Sequence, residues 1–557
     1  MSRWINQRRW LAACTALAAA ALLAACGSSS KTATNSADVS SAVLTVESSQ
    51  QNAITQNFNP FIQTSAATLL GATSLVYEPL LQANAINPGQ YYNWLATGYT
   101  WSNGGESITF TIRPGVKWSN GTALTAADVA FTFNLLKAYP DVNNFGLPIK
   151  SVTSSGNQVT LNFTSPQYAN FQNIAGEVYI VPQSVWSKVG DPGKYTDANP
   201  VGSGPYTVSQ ITSQGVTLKA NPNYWGGKPA VGTVEFPTYA SANSALSALQ
   251  TNQLTWGGNF IPGVQQVFEA GNTNHRVWFT PVQTNSLEPN LNKFPTNQLP
   301  VRKAISLAID REALSQQAEG GLEPPVSNAS GLTLPIFQPY LSSAVSSDTI
   351  SPHSNIAAAK AVLEQAGYVM GSDGFFRTKS GQELTIDITN PSSFSDYATG
   401  DQMIAGWLRK AGIDATFVGQ STNAWGADIA DGNFQLTQHW SQTSVSPYQL
   451  YNDWLNGAQA TSNAAGDFER LKDPTVDSDL AKAASANSVS DESADLAPIE
   501  QYVATNLPVI PTVYGVVFDE YNTSKFTGWP SASNSYESGS PNTPTNEVVI
   551  LRLHPAN

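Results

Sequence analysis

The chain has 557 residues, of which 41% are apolar and only 12% charged, and its formal net charge is −13. This length exceeds what one typical core supports and predicts two or three domains. The acidic balance, without a cluster of Lys or Arg, excludes nucleic acid as a partner because phosphates require a basic face. With 14 Trp, 20 Tyr and 22 Phe, the composition indicates a globular protein rich in aromatic residues.

The N-terminus has the pattern of a secretion signal. Arg3, Arg8 and Arg9 precede an apolar run over residues 10–25, and a basic segment followed by such a run is typical of a signal peptide. The run is shorter than the roughly 20 residues that a membrane span needs. We therefore predict a signal peptide at 1–25, with the general secretory and twin-arginine routes both open.

The apolar run ends in Leu23-Ala-Ala-Cys26, which resembles the bacterial lipobox, where the signal is cut before a cysteine that becomes lipid-modified. We predict Cys26 as the lipid anchor and residues 26–41 as the lipidated Cys and a flexible tether. Cleavage removes three Arg and no acid, so the net charge becomes −16. Cys26 is then the only cysteine, which excludes disulfides and Cys-based zinc sites.

The first half of the chain is predicted to be rich in strands. A β-branched run at 42–46 predicts the first strand, and a loop at 57–61 precedes a helix that begins near Ala66. Alternation at 107–112, followed by a Pro-Gly turn and Val116–Trp118, predicts a hairpin. Further signals complete this half: a helix capped by Thr125 with Asp128 in its first turn, and strands at 159–163 and 216–219.

The second half alternates helices and strands. Helical spacing occurs at 301–309, 356–365 and 397–410, and Gly367 and Gly412 follow two of these helices as stop signals. Strands at 384–388 and 414–418 lie on either side of the last helix. This β-α-β order predicts a mixed sheet.

Motifs of catalysis and metal binding do not occur. His275, His353, His439 and His554 are isolated, without metal-ligand spacing, and no nucleophile elbow or phosphate loop appears. We predict no metal, no cofactor and no enzymatic activity. Paired carboxylates among the 40 acids remain possible, so a secreted hydrolase stays as a remote alternative.

Several segments resemble solute-binding protein family 5 of bacterial ABC importers, the class of dipeptide-, oligopeptide-, nickel- and cello-oligosaccharide-binding proteins. The most specific is Phe110-Thr-Ile-Arg-Pro-Gly-Val-Lys-Trp-Ser-Asn-Gly-Thr-Ala-Leu-Thr-Ala-Ala-Asp-Val129. Similar segments follow the family's order at 77–80, 200–206, 221–229, 301–311 and 507–511. The resemblance covers nearly all of the chain after the signal.

The resemblance implies an α/β fold: a two-lobed periplasmic-binding-protein-like clam of mixed sheets with flanking helices and an extra appended domain. Lobe I is expected to comprise 42–71, 200–278 and 506–557, the appended domain 72–199, and lobe II 279–505. The ligand is expected between lobes I and II.

The implied function is that of an extracytoplasmic lipoprotein on the outer face of the cytoplasmic membrane, held there by its lipid alone. As a monomer it would capture an oligomeric solute and deliver it to ABC permease subunits with cytoplasmic ATPases. An alternative is a ligand sensor that uses the same fold.

Two solute classes remain open, oligopeptides and oligosaccharides. Peptide-binding members pair an Asp with the ligand's α-amino group, and the matching position is Thr443, which cannot offset an ammonium. A peptide would then require another acid, such as Asp453. The loop at 57–61 resembles that of the cello-oligosaccharide branch, and sugar faces stack on aromatic rings.

The resemblance implies eleven ligand-binding candidates, although large aromatic residues are also common in cores. They are Asn57, Phe58, Asn59, Trp256, Phe260, Asn290, Trp425, His439, Trp440, Thr443 and Tyr514.

Overall fold

The computed structural model describes residues 41–47, 54, 56–62, 65–334, 336–441, 446–457 and 467–556. The predicted signal peptide, Cys26, most of the tether and Thr443 lie outside these ranges. Within them, no helix is both long and apolar enough to cross a membrane.

The strands are short and occur along the whole described chain. In order they are β1 Val43–Glu47, β2 Leu81–Ala83, β3 Tyr91–Asn93, β4 Ala96–Ser102, β5 Ser107–Ile112, β6 Ile149–Ser155, β7 Gln158–Phe163, β8 Tyr206–Thr212, β9 Gly215–Ala220, β10 Thr233–Pro237, β11 Trp256–Gly257, β12 His275–Val277, β13 Thr280–Pro289, β14 Val369–Met370, β15 Phe376–Arg377, β16 Thr385–Pro391, β17 Asp414–Gln420, β18 Leu436–Trp440, β19 Ile510–Val517, β20 Glu520–Asn522, β21 Phe526–Thr527 and β22 His554–Pro555.

The longer helices lie in the second half of the chain. In order the helices are α1 Ala66–Leu69, α2 Ala126–Ala138, α3 Gln183–Trp186, α4 Ala242–Gln250, α5 Leu299–Ala308, α6 Arg311–Gln317, α7 Ile356–Gln365, α8 Ser395–Lys410, α9 Thr422–Asp431, α10 Pro447–Leu455, α11 Pro474–Ala483, α12 Val489–Asn506 and α13 Asn546–Arg552.

Lobe I is built on a seven-stranded sheet with the order β12-β20-β11-β1-β10-β9-β8. Strand β1 pairs in parallel with both β10 and β11, whereas β20 and β9 are antiparallel to their neighbours. The sheet therefore joins three separate stretches of chain, which meet around buried Leu44 and Val46.

A smaller sheet, β4-β5-β7-β6, lies in the appended segment and packs against α2. The predicted cap of α2 is confirmed: Thr125 and Asp128 form a reciprocal capping box.

The predicted hairpin is wrong, because β5 pairs with β4 and β7 while Lys117 forms a single bridge to Ala123. A Pro-Gly turn can reverse the chain without placing the next residues in the sheet.

The appended segment shares one continuous hydrophobic core with lobe I, which includes Phe110 and Trp118 of the segment and Val234 of the large sheet. A buried polar network joins the same two parts. Glu547 accepts hydrogen bonds from Gln82 at 2.9 Å and Trp94 at 3.2 Å. The appended segment and lobe I are therefore packed together around one core.

Lobe II is built on a five-stranded mixed sheet with the order β17-β16-β18-β13-β19. The predicted β-α-β arrangement is confirmed: β16 and β17 are parallel, and α8 connects them. Gly367 and Gly412 follow α7 and α8 with φ of +88° and +86°, as expected of glycine at helix C-termini. A second core in this lobe packs helices α10, α11 and α12 together.

Within the described ranges, the chain passes between the two sheets at two places, 278–279 and 518–519. The backbone N–H of Trp278 donates to the Asp519 carbonyl at 3.0 Å, so the crossovers lie side by side. Strand β19 pairs with β13 in the lobe II sheet. We therefore propose that lobe II extends to Val517 rather than ending at 505.

Candidate ligand-binding cleft

The carboxyl ends of the parallel strands in both sheets point toward the crossovers. In lobe II, Trp440 ends β18 opposite Asn285, close to where β13 enters the lobe. In lobe I, Glu47 and Gly257 end β1 and β11, and Gly257 pairs with Glu520, the first residue of β20. Ligands of α/β sheets bind beyond the carboxyl ends of parallel strands. The topology thus places two such ends face to face across a cleft.

Six aromatic side chains form one wall of this cleft on lobe II, and we call them the aromatic wall. They are Phe394, Tyr397, Trp425, His439, Trp440 and Phe468. The rings of His439 and Trp440 stack with centroids 4.3 Å apart, and Tyr397 and Phe394 each lie 6.2 Å from Trp440. Trp440 is 36% exposed and presents a large ring to solvent.

Polar contacts fix the orientation of this wall. The Trp425 indole donates to the Thr437 hydroxyl at 3.0 Å, and that hydroxyl donates to the Thr389 carbonyl at 2.7 Å. His439 Nδ1 lies 3.6 Å from a carboxylate oxygen of Glu288. Because these anchors are buried, the rings are held in place before any ligand arrives.

Beside the aromatic wall lie four acidic side chains, Glu319, Glu323, Asp396 and Asp401, which we call the acid cluster. Glu319 and Asp401 are 0% exposed and Glu323 is 4% exposed. Burial raises the pKa of Glu323 and of Asp401 to about 8 and that of Glu319 well above its usual value. Negative neighbours within the cluster raise the pKa of Glu319 further.

Tyr397 joins the acid cluster to the aromatic wall. Burial raises the pKa of its hydroxyl well above 10, and the charges of all four clustered carboxyls raise it further. Its ring meanwhile contacts Trp440. The two features therefore form one continuous surface.

The opposite wall, on lobe I, also carries buried acids. Glu47 accepts a hydrogen bond from the Asn259 side chain, and the backbone N–H of Asn259 donates to Glu520 at 3.3 Å. Burial raises the pKa of Glu47 to about 7 and of Glu520 to about 8. The described cleft thus has acidic groups on both sides.

Of the predicted lobe II residues, the structure brings Trp425, His439 and Trp440 together in the aromatic wall. Asn290 lies apart, since its amide donates to the carbonyls of Gly432 and Phe434 at 3.0 and 3.1 Å. Tyr514 is 4% exposed, and its hydroxyl accepts from the Ser327 N–H at 3.2 Å. A direct role for these residues in ligand binding stays a prediction.

The predicted lobe I residues are mostly engaged within the chain. Phe58 and Asn59 are 0% exposed, and the Asn59 amide donates to the Pro192 and Tyr195 carbonyls, both at 2.7 Å. Asn57 accepts from the Asn59 N–H. Trp256 is fully buried and donates to Asp519 at 2.8 Å. Phe260 is partly buried and packs edge-on against Phe518.

Sequence reasoning missed Phe394, Tyr397 and the acid cluster. Phe394 and Tyr397 follow the carboxyl end of β16, so the predicted β-α-β unit carried a signal for them. The acid cluster had none, because its members come from the segment after α6 and from α8, which are distant in sequence.

A separate groove of about 480 Å³ lies where two segments, 86–90 and 336–339, meet the start of β13 beside one crossover. It is lined by Ile86, Asn87, Pro88, Gln90, Thr280, Pro281, Ile336, Gln338 and Pro339. This lining has no charged side chain and none of the predicted ligand-binding residues. We place the candidate site at the aromatic wall, where polar and aromatic groups converge.

The described residues contain no group of three or more His, Cys, Asp or Glu that could hold a metal ion. This finding includes the acid cluster.

Residues 90–462 match the sequence profile of the bacterial extracellular solute-binding proteins, family 5. The match spans more than half of the chain, and the chain belongs to this family. The relatives described next are named as binding proteins.

The chain is similar to the nickel-binding periplasmic protein of Escherichia coli K12, with 27% identity over 413 residues, 72% of this chain and 75% of that protein. It is also similar to the dipeptide-binding protein of the same organism, with 24% identity over 429 residues, 71% and 76% of the two chains.

A solved structure supports the two-lobed fold. The mannohexaose-bound periplasmic oligopeptide-binding protein of an oligopeptide ABC transporter from Thermotoga maritima superposes with a TM-score of 0.80 at 24% identity. The alignment covers 92% of this chain and 99% of that one.

Proposed function

We propose that this protein is the extracytoplasmic substrate-binding lipoprotein of an ABC importer, which captures an oligopeptide or an oligosaccharide between its lobes and delivers it to the permease. It performs no chemistry on the solute. The observation that carries the proposal is the exposed Trp440 ring, which the buried rings of the aromatic wall support at the carboxyl end of β18, opposite the matching strand ends in lobe I.

Capture follows from differential affinity. Two adjacent crossovers allow the lobes to hinge, and a solute that contacts both walls favours the closed form over the open one. Closure removes water and strengthens each polar contact inside the cleft. The closed form is then the state that the permease distinguishes from the empty protein.

Both solute classes suit the aromatic wall. A Trp ring offers an apolar face to a sugar ring or to a peptide side chain. The names of the relatives point to peptide, dipeptide and nickel ligands, and a similar structure holds mannohexaose. The solute class therefore has to be measured.

A thermal-shift screen tests the proposed function. The chain without residues 1–26 is incubated with di- to pentapeptides and with cello- and xylo-oligosaccharides, and a ligand of the folded state raises the Tm. Trp440→Ala is expected to abolish that shift, whereas Trp101→Ala, a matched change in strand β4, should leave it intact. An unchanged shift in Trp440→Ala would contradict the assignment of the site.

The lipid anchor has a test of its own. We expect the full chain, produced in a bacterium, to fractionate with membranes. Cys26→Ser should appear in the soluble extracytoplasmic fraction, because serine has no thiol to carry the lipid. Membrane association of a Cys26→Ser product from which residues 1–25 have been removed would exclude Cys26 as the anchor.

A further inference from the structure

The acid cluster has no basic partner. Among the described residues, every Lys, Arg and His ion pair involves some other acid, and none involves Glu319, Glu323, Asp396 or Asp401. Buried acids normally occur with a cation or a full set of hydrogen-bond donors.

Several buried polar atoms at the cluster also lack partners within the described chain. Both carboxyl oxygens of Glu319 and Oδ1 of Asp401 accept no hydrogen bond. Gln438 is 0% exposed, and neither atom of its side-chain amide has a partner. Unsatisfied groups at this density are rare in folded proteins.

The Gln438 amide lies next to the chain neighbours of two of the acids. A Cβ placed on Gly400 would lie 3.6 Å from Gln438 Oε1 and 3.6 Å from Cβ of Ala318. Gly400 directly precedes Asp401, and Ala318 directly precedes Glu319. The unpartnered amide therefore lies beside α8, which carries Asp401, and close to the end of α6, which Glu319 follows.

The cluster lies beside the crossovers and approaches lobe I at one point. Within lobe II, Glu323 accepts from the Val516 N–H at 3.3 Å and from the Asn285 side chain at 2.6 Å. A Cβ on Gly320 would lie 3.8 Å from the backbone nitrogen of Gly263 in lobe I. A group bound at the cluster would therefore lie at the closing surface of the cleft.

We propose that the acid cluster receives a cationic organic group of the captured solute, an ammonium or a guanidinium, while Tyr397 and Trp440 pack against the carbon skeleton that carries it. This inference rests on the proposed function and deepens it. Carboxyls and the Gln438 carbonyl accept the N–H donors, and aromatic faces attract the same charge.

Three observations favour an organic cation. The acids are not placed to coordinate a metal ion, whereas an ammonium or guanidinium spreads its donors over a wider area. A neutral hydroxyl would leave most of the acceptors unpaired. The formal net charge of −13 would in addition draw a cationic solute toward the protein.

Matched ligand pairs test the proposal. We would titrate acetyl-Ala-Lys-Ala against acetyl-Ala-norleucine-Ala, whose blocked N-termini leave the lysine as the only ammonium, and tetrameric glucosamine against cellotetraose, into the chain without residues 1–26. In whichever class binds, the cationic member is expected to bind at least about tenfold more tightly than its neutral partner. Binding of the cation should also release protons at pH 7, measured by calorimetry in buffers of different ionisation enthalpy, because a cation lowers the pKa of a nearby acid.

The matched variants are Glu323→Gln and Glu537→Gln, which each neutralise a buried acid, one inside the cluster and one in lobe I. Glu323→Gln should abolish the preference for the cationic member, and Glu537→Gln should retain it. The wild-type ligand pairs decide the question even if a variant fails to fold.

Neutral ligands that bind as tightly as their cationic partners would overturn the cation site and leave the proposed function standing. The cation site would also be overturned if the cationic ligand bound without releasing protons, or if Glu323→Gln kept the preference for the cationic ligand. If no peptide or sugar binds, both proposals fail.

Discussion

At the scale of single residues, the cleft is built from acids that the fold keeps away from water. Glu323 and Asp401 on lobe II and Glu520 on lobe I each have a pKa raised to about 8, and burial is the main cause in each case. These groups therefore bind protons more tightly in the folded than in the unfolded chain.

The raised pKa values predict that the free energy of unfolding falls as the pH rises. An unfolded Glu releases its proton near pH 4.5, whereas folded Glu323 holds its proton to about pH 8. The contribution of Glu323 to the free energy of unfolding is therefore complete below pH 4.5 and is lost as the pH rises through about 8. We expect the Tm of the unliganded protein to be lower by several degrees at pH 8.5 than at pH 5.5.

The double variant Glu323→Gln, Asp401→Asn supplies the control for this prediction. Amides do not titrate, so its Tm should vary less with pH than that of the wild type. A steeper or unchanged pH dependence in the double variant would show that other groups dominate.

The site residues show what the sequence could and could not provide. Trp440 was found because a resemblance pointed to it, and its exposure makes it available to a ligand. Asn59 and Trp256 carried the same signal, yet their polar atoms are used inside the fold. A single sequence does not reveal whether an amide or indole has a partner, because that partner lies more than a hundred residues away.

At the scale of elements, a contact between α10 and the appended segment joins the two bodies at a place other than the crossovers. The Gln449 amide of α10 donates to the Ala169 carbonyl at 3.2 Å and to the Asn170 side chain at 2.9 Å. The Ala169 N–H donates to the Ala484 carbonyl at 3.3 Å. The appended segment thus contacts the helices of lobe II and bridges the two moving bodies.

Removing this contact is predicted to weaken ligand binding without touching the aromatic wall. Gln449→Ala should disfavour the closed form by about 1 kcal/mol, the usual net contribution of a hydrogen bond, and so raise the Kd roughly fivefold. Gln382→Ala, which changes an exposed Gln in lobe II, serves as the control. Equal Kd values for both variants would mean that the contact does not contribute to closure.

Local signals predicted the helices well but the strand pairings poorly. Helices α5, α7 and α8 were visible from apolar spacing and glycine stops, which depend on neighbouring residues. Strand β4 was not predicted. Strands β5 and β7 were both recognised, but their pairing was not, since it spans about fifty residues and only the folded chain selects it. The same limit applies to β19, whose sheet could not be assigned from its sequence.

At the scale of the whole molecule, two bodies face each other across a cleft and are joined by two adjacent crossovers. Lobe I and the appended segment share one large core, and most of lobe II packs in two others. Two smaller contacts join these bodies: Ala169 of the appended segment packs into a lobe II core, and Leu322 and Val516 of lobe II pack with the lobe I helices. A hinge motion that opens the cleft would separate these smaller contacts and leave the main cores intact. This division fits the proposed function, in which the lobes close over a captured solute.

Capture by closure can be tested by small-angle scattering with and without a saturating ligand from the thermal-shift screen. We expect a smaller radius of gyration with the ligand, because the solute holds the lobes closed, and no such decrease when the ligand is added to Trp440→Ala. A ligand that binds the wild type with one molecule per chain and leaves the radius of gyration unchanged would contradict capture by closure.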